Sequence, residues 1–302
     1  MKKLIALVLS LLAVASLVAG CSSGKGTTVN SGEKSVTFSL LSSPASLDPA
    51  TTTDGHSLMV ETQLFSMLVE SKGGTSSEIK PDIAESWEIS EDGLTYTFKL
   101  RDDVYFHNGK LLTADDVVYT FNRVMTEPYT SYYAAPIKSV EATDEHTFVA
   151  HLNYPFADFL TLVGGIYFGI CCEEAITAGS DFMYKPVGTG PYKLEGGYIP
   201  GQAFKFVYND QYYGAEPDIK EINFKIQPDT NTAVISLQNG EVDFIPALTV
   251  NDIGTIENDE NLALYQAPSY TIHYVCFNKN NAPWNIKEVR QAINYAINKQ
   301  DL

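Results

Sequence analysis

The residues of this 302-residue chain with chemistry to offer include four cysteines, five histidines and the adjacent acids Asp102-Asp103 and Asp115-Asp116. His56, His107, His146, His151 and His273 stand singly, and neither they nor Cys171, Cys172 and Cys276 have the spacing of a tetrahedral zinc site, so no metal is expected. A hydrolytic centre would call for a Gly-x-Ser-x-Gly elbow or a His-Glu-x-x-His pair, and the sequence has neither. His107, in Phe106-His107-Asn108-Gly109, is the best placed for catalysis, yet its setting reads as a loop ahead of a capped helix. The members of Asp102-Asp103 and of Asp115-Asp116 are adjacent and point different ways; a solvated turn and a helix N-terminus that favours negative charge are expected. Gly188-Thr189-Gly190-Pro191 invites a phosphate, but Lys193 stands where a dinucleotide fingerprint needs its third glycine, and no Walker lysine follows. The glycines then serve close backbone packing, and the proline a fixed φ. This inventory contains no cofactor site and no nucleophile with its base, which points to a protein that holds a molecule without transforming it.

The N-terminus has a chemistry of its own. Lys2 and Lys3 precede an apolar run over residues 4–18, interrupted only by Ser10 and Ser16 and ending in Ala19, Gly20 and Cys21. That is the shape of a secretory signal peptide over residues 1–20, too short for the roughly 20 apolar residues of a membrane-crossing helix. Leu17-Val18-Ala19-Gly20-Cys21 resembles a bacterial lipobox. The resemblance implies cleavage before Cys21 and lipidation of Cys21 with more than one acyl chain, as stable attachment requires. With Cys21 so used, three cysteines are left, an odd number that cannot all pair within the chain. Cys171-Cys172 follow the apolar stretch 165–170 and are expected to be buried small hydrophobes. Residues 21–35 are rich in Ser, Gly, Thr and Lys and read as a flexible tether. The formal charge of −17 becomes −19 once Lys2 and Lys3 leave with the signal, which excludes nucleic acid as a partner and suits an exported protein at the extracytoplasmic face of the cell membrane, at the cell surface or in the periplasm.

Positioning any site falls to a mixed α/β body, since strand and helix patterns interleave throughout. Residues 36–41 read as a strand, and Leu58, Thr62, Phe65 and Leu68 lie at helical spacing, which predicts a helix within residues 55–70. Residues 87–100 form a hairpin pattern around Asp92-Gly93, with strict alternation in the second strand. Thr113 and Asp116 have the spacing of a capping box, with Val117, Phe121 and Val124 on one face of a helix over about residues 114–125. Further strands are expected at 140–143, 147–152, 204–208 and 221–226, and helices at 230–239 and 250–257. A stripe of Val289, Ala292, Ile293, Ala296 and Ile297 opens one more helix whose apolar side needs cover, so a further structural unit is expected to begin there.

Eight segments in order resemble the peptide, dipeptide and nickel binding proteins of ABC importers, the large extracellular solute-binding proteins of family 5. They are Ser46-Leu47-Asp48-Pro49, Pro81-Asp82-Ile83-Ala84-Glu85-Ser86-Trp87, Asp92-Gly93-Leu94-Thr95-Tyr96-Thr97-Phe98, and residues 100–109 from Leu100 to Gly109. Thr113-Ala114-Asp115-Asp116-Val117, residues 186–192 from Pro186 to Tyr192, Gly240-Glu241-Val242-Asp243 and Val289-Arg290-Gln291-Ala292-Ile293 complete the set. The resemblance implies a two-lobe periplasmic-binding-protein-like α/β fold of type II with an extra subdomain. Residues 36–60 and 183–272 would form lobe I, 61–182 the extra subdomain, and 273–302 the start of a truncated lobe II. It implies capture of oligopeptides, dipeptides or a related small solute for delivery to the permease subunits of an ABC transporter, with membrane attachment through the lipid anchor. Nickel, haem, oligosaccharide or a signalling peptide remain open as ligands, and an extracytoplasmic hydrolase is the rival reading. The ligand contacts it implies are Thr53, Asp54, Gly55 and His56 in the loop after Leu-Asp-Pro, largely through main chain. Tyr129, Tyr132 and Tyr133, Phe244 and Ile245, and His273 and Tyr274 in the crossover segment are the aromatic and hinge candidates.

Overall fold

The structure is a computed structural model, and it describes residues 34–71, 78–179, 181–267 and 274–298. Cys21, residues 21–33 of the tether and His273 lie outside the described residues, while Lys34 and Ser35, expected as the end of the tether, open a strand by pairing along the sheet. The chain divides into two compact units, Met1–Asp252 and Ile253–Leu302.

The first unit carries two four-stranded sheets. One has the order β1 (Lys34–Leu40), β10 (Ile219–Ile226), β9 (Phe204–Tyr208), β8 (Tyr192–Leu194). Its first two strands run parallel, with Phe38 opposite Phe224, although they are far apart in the chain. Alternate side chains point inward, so Leu40, Phe204, Phe206, Ile222 and Phe224 share a core with Leu47, Val60, Leu64 and Phe65. The other sheet is antiparallel, in the order β4 (Ala84–Ile89), β5 (Thr95–Leu100), β7 (Thr147–Leu152), β6 (Ile137–Asp144). A short ribbon, β2 (Val69–Ser71) with β3 (Ile79–Pro81), leads into it. The expected hairpin is β4–β5: Ser90 N–H donates to the Thr95 carbonyl, and Gly93 takes φ +67°, a left-handed conformation open to glycine. Tyr96, Phe98 and Leu100 alternate into the core, as the period-2 pattern requires.

Helix α2 (Ala114–Thr126) lies across β6 and β7 with its apolar face down; Phe121 meets Phe148 at 4.7 Å and Phe168 at 4.9 Å between ring centroids. Its capping box is present, with Asp116 accepting from the Thr113 N–H at 3.1 Å. Asp116 stands at the helix N-terminus, as expected. Its carboxylate is buried and paired with the Lys110 ammonium at 2.5 Å, because the loop before the helix folds back over the cap. Asp103 does lie in an exposed turn, in a bidentate pair with Arg101.

The helix predicted within 55–70 is cut short. Helix α1 (Gly55–Glu61) ends because the next carbonyls are taken from outside: Gly190 N–H donates to Leu64 and Tyr192 N–H to Gln63, at 2.9 and 3.1 Å. Leu64, Phe65 and Leu68 are buried all the same, from a turn and the non-helical chain that follows it. Short helices α3 (Phe159–Val163) and α4 (Glu173–Thr177) were not expected, whereas α5 (Thr230–Gln238), α6 (Val250–Glu257) and α7 (Lys287–Ala296) fall where the periodicity put them. The second unit holds α7, none of whose side chains is buried, and a ring contact of Phe277 with Trp284 at 5.2 Å.

Candidate ligand-binding surface

Strand β1 ends at Leu40, and residues 41–54 form the loop that joins it to α1. β1 and β10 are parallel, so this loop emerges at the carboxyl end of the pair, where open α/β sheets take their ligands. The loop is organised from beneath. Asp54 is the N-cap of α1 and accepts from the Ser57 amide at 3.0 Å, the Ser57 hydroxyl at 2.5 Å and the Thr52 hydroxyl at 2.8 Å. Burial pushes its pKa up, but these hydrogen bonds outweigh burial and hold the carboxyl below its ordinary value. Ser57 Oγ in turn accepts from the amides of Ala45 and Ser46. The Asp54 side chain is thus spent on the loop itself. What the segment offers outward is backbone: Thr53 and Gly55 are exposed, His56 is half-buried, and nothing stands within 4 Å of where a Cβ on Gly55 would lie.

Deeper in, Asp48 of the Ser-Leu-Asp-Pro motif forms a bidentate pair with Arg123 in the last turn of α2, at 3.1 and 2.7 Å. Asp48 is buried and Arg123 largely so, and Asp48 also accepts from the Ala50 amide. Burial disfavours the charge on Arg123, but its bonds to Asp48 prevail and keep the guanidinium more firmly protonated than usual. Thr130 adds a second tie, its hydroxyl donating to the Ala50 carbonyl at 3.0 Å. The chain that follows α2 carries the three tyrosines. Tyr129 and Tyr132 are exposed, while Tyr133 is half-buried and stacks on Tyr167 at 4.1 Å. Asp48–Arg123 and Thr130–Ala50 therefore join the residue 41–54 loop to the tyrosine segment as one support. Neither link was visible in the sequence.

Phe244 lies along the other edge of β1. Its carbonyl accepts from Ser39 at 2.9 Å, and its ring meets Phe38 at 4.8 Å while staying partly exposed. Ile245 beside it is half-buried. Tyr274 is exposed and belongs to the second unit. Two open depressions, about 550 and 460 Å³, lie between Tyr184 and Ile199 and over Phe204 and Phe224; neither is lined by any of the sequence-predicted contacts.

His107 and the two adjacent cysteines are part of the packing. His107 accepts from Gly188 N–H at Nδ1, so Nε2 carries the proton and donates to the Gly190 carbonyl at 3.2 Å. Burial, with a smaller push from Lys193, overrides the Gly190 bond and brings its pKa down to about 4. Cβ atoms on Gly188 and Gly190 would lie 2.1 and 2.5 Å from Leu64 backbone atoms, so the Gly-Thr-Gly-Pro segment is a seam of direct main-chain contact. Cys171 and Cys172 are buried free thiols, and burial pushes Cys171 well above the ordinary range. Among the described residues no three His, Cys, Asp or Glu side chains gather as a metal site, and no helix is long and apolar enough to cross a membrane.

Comparison with known proteins agrees with this arrangement. The model of bacterial extracellular solute-binding proteins, family 5, matches residues 78–302. The chain belongs to that family. This family-5 chain is 34% identical to heme-binding protein A of Haemophilus influenzae over 85% of its own length and 52% of that protein. It is 32% identical to the dipeptide-binding protein of Escherichia coli, over 88% of its length and 54% of that protein. The structure of the oligopeptide-binding protein AppA of Bacillus subtilis in complex with a nonapeptide superposes with a TM-score of 0.78 at 27% identity, over 89% of this chain and 55% of that one. The family-5 chain thus spans about half the length of the relatives it matches. Members of the family are extracellular or periplasmic solute-binding proteins, not enzymes.

Proposed function

We propose that this chain forms the first lobe and extra subdomain of an extracytoplasmic lipoprotein that captures peptides, or a similar small solute, and hands them to the permease of an ABC importer. The observation that carries the reading is the segment 53–56, with Thr53 and Gly55 exposed at the carboxyl end of a parallel strand pair and the Asp48–Arg123 pair beneath it. An extended peptide recognised through main-chain hydrogen bonds needs such a surface, with aromatic side chains beside it to set preference. Thr53, Asp54, Gly55 and His56 would supply the first, mostly from main chain, and Tyr129, Tyr132, Tyr133, Phe244 and Ile245 the second. His273 and Tyr274 would close the ligand from a second lobe that begins at residue 273. In this division residues 36–60 and 183–272 form lobe I and 61–182 the extra subdomain, and capture proceeds by hinge closure.

Thermal-shift measurements against di-, tri- and pentapeptides, nickel, haem and oligosaccharides test the ligand class. A peptide that binds only the folded state raises the melting temperature in proportion to the logarithm of its concentration. No shift with any peptide, or turnover of peptides or esters that survives repurification, overturns the proposal. Haem is the second reading, favoured by the similarity to a heme-binding relative, and an absorbance titration separates it from peptide. Anchoring through Cys21 is tested by fractionation: Cys21→Ser is expected to release the protein from the membrane fraction.

A further inference from the structure

Helix α1 carries one acid into the interior that nothing above employs. Glu61, its last residue, is fully buried, and neither oxygen of its carboxyl group has a hydrogen-bond partner. Its own carbonyl accepts from the Leu64 and Phe65 amides, which fixes the main chain at this point. The titratable and charged groups around it come from every neighbouring element. Asp48 and Asp54 belong to the loop, and Cys171 to the segment before α4. Arg123 gives Nη1 and Nη2 to Asp48. Ionised, Glu61 would be a third carboxylate beside Asp48 and Asp54, with no donor to satisfy it in an apolar setting. Burial first, and then Asp48 and Asp54, push its pKa up to about 9.

We propose that Glu61 is a proton-operated latch under the loop 46–54: as the neutral acid it lets α1 and the loop pack as they do, and on losing its proton it drives the loop open to water. Opening reaches Asp48, Asp54 and the exposed segment 53–56 together, because Asp54 caps the helix that Glu61 ends. The inference rests on the proposed function only in giving that loop a ligand; the latch itself needs none. Its physical basis is that a buried charge without a partner is relieved by exposure when no counter-ion can be recruited.

Infrared difference spectroscopy combined with hydrogen exchange on the wild-type chain and Glu61→Gln tests it. At neutral pH the wild type is expected to show the C=O stretch of a protonated carboxyl that Glu61→Gln lacks. From about pH 6 to above pH 9, exchange protection of the amides at 46–57, corrected for intrinsic rates, is expected to fall about tenfold or more in the wild type and to stay flat in Glu61→Gln. Absence of the band at neutral pH, or the same loss of protection in both proteins, overturns the latch. Should Glu61→Gln not fold, the wild type decides alone: the band must vanish in step with protection, and a band that titrates while protection holds overturns it. A loop that opens on schedule in a protein that binds no peptide leaves the latch standing and removes the ligand reading.

Discussion

Two places where distant parts of the first unit meet are built on opposite principles. At the seam, Gly188 and Gly190 lie against the Leu64 backbone, and a neutral His107 fills the remaining bonds with both ring nitrogens. At the loop, a charged pair, Asp48–Arg123, carries the connection beneath an exposed surface. A main-chain seam tolerates no displacement, since there is no side chain to adjust. A buried ion pair under a loop fixes position yet leaves the outer backbone free to meet another molecule. The contrast separates a part of the molecule made to stay still from one that presents a surface.

Substitutions should rank accordingly. Gly188→Ala puts a Cβ 2.1 Å from the Leu64 carbonyl oxygen, where only backbone can yield; a loss of about 4 kcal/mol or more is expected in urea unfolding. Next is Arg123→Ala, which strands the buried Asp48 carboxylate and should cost about 3–5 kcal/mol. The double variant Asp48→Leu with Arg123→Met should recover most of that stability, showing that the damage comes from the orphaned charge. If Arg123→Ala is instead nearly silent, the loop is not held by this pair.

The seam has a pH signature. His107 has its pKa lowered to about 4 from an ordinary 6.5, so it contributes stability in full above pH 6.5 and loses it as pH falls through 4. The loss amounts to about 3 kcal/mol at the acid end, from about 1.4 kcal/mol per pKa unit. Glu61, raised to about 9 from 4.5, works the other way, contributing stability below pH 4.5 that is lost as pH rises through 9. The clean measurement is therefore the stability difference between the wild type and His107→Gln, which should shrink from pH 7 to pH 4. The smallest expected effect is Thr130→Val, which removes the hydroxyl bond to Ala50 and should cost about 1 kcal/mol. It should also raise hydrogen exchange near Ala50 without touching the seam.

How much of this was legible in advance depended on range. The hairpin at Asp92-Gly93 and the capped helix at Thr113 were readable because periodicity, turn and cap all lie within a few residues of one another. The end of α1 was not, because amides of Gly190 and Tyr192 take the carbonyls that would have continued it. Asp116 was legible as part of the cap, but the fold-back that brings Lys110 over it was not. At the candidate surface, the Ser-Leu-Asp-Pro motif marked the loop, and the tyrosines after α2 stood out. The ion pair that joins them bridges 75 residues, and nothing in the spacing of Asp48 or Arg123 announces it. Burial without a partner, as at Glu61, has no local sequence signal.

The pairing of β1 with β10 also bears on how the molecule comes into being. The antiparallel sheet of β4 to β7 is closed by residue 152 and can assemble as soon as that stretch of chain is free, whereas β1 waits for a neighbour that ends at Ile226. Contacts of such separation form slowly, because a long loop must be closed before they give anything back. The aromatic sheet that bears the candidate surface is thus expected to be the last part of the first unit to consolidate during synthesis, and the surface should exist only once its scaffold is whole.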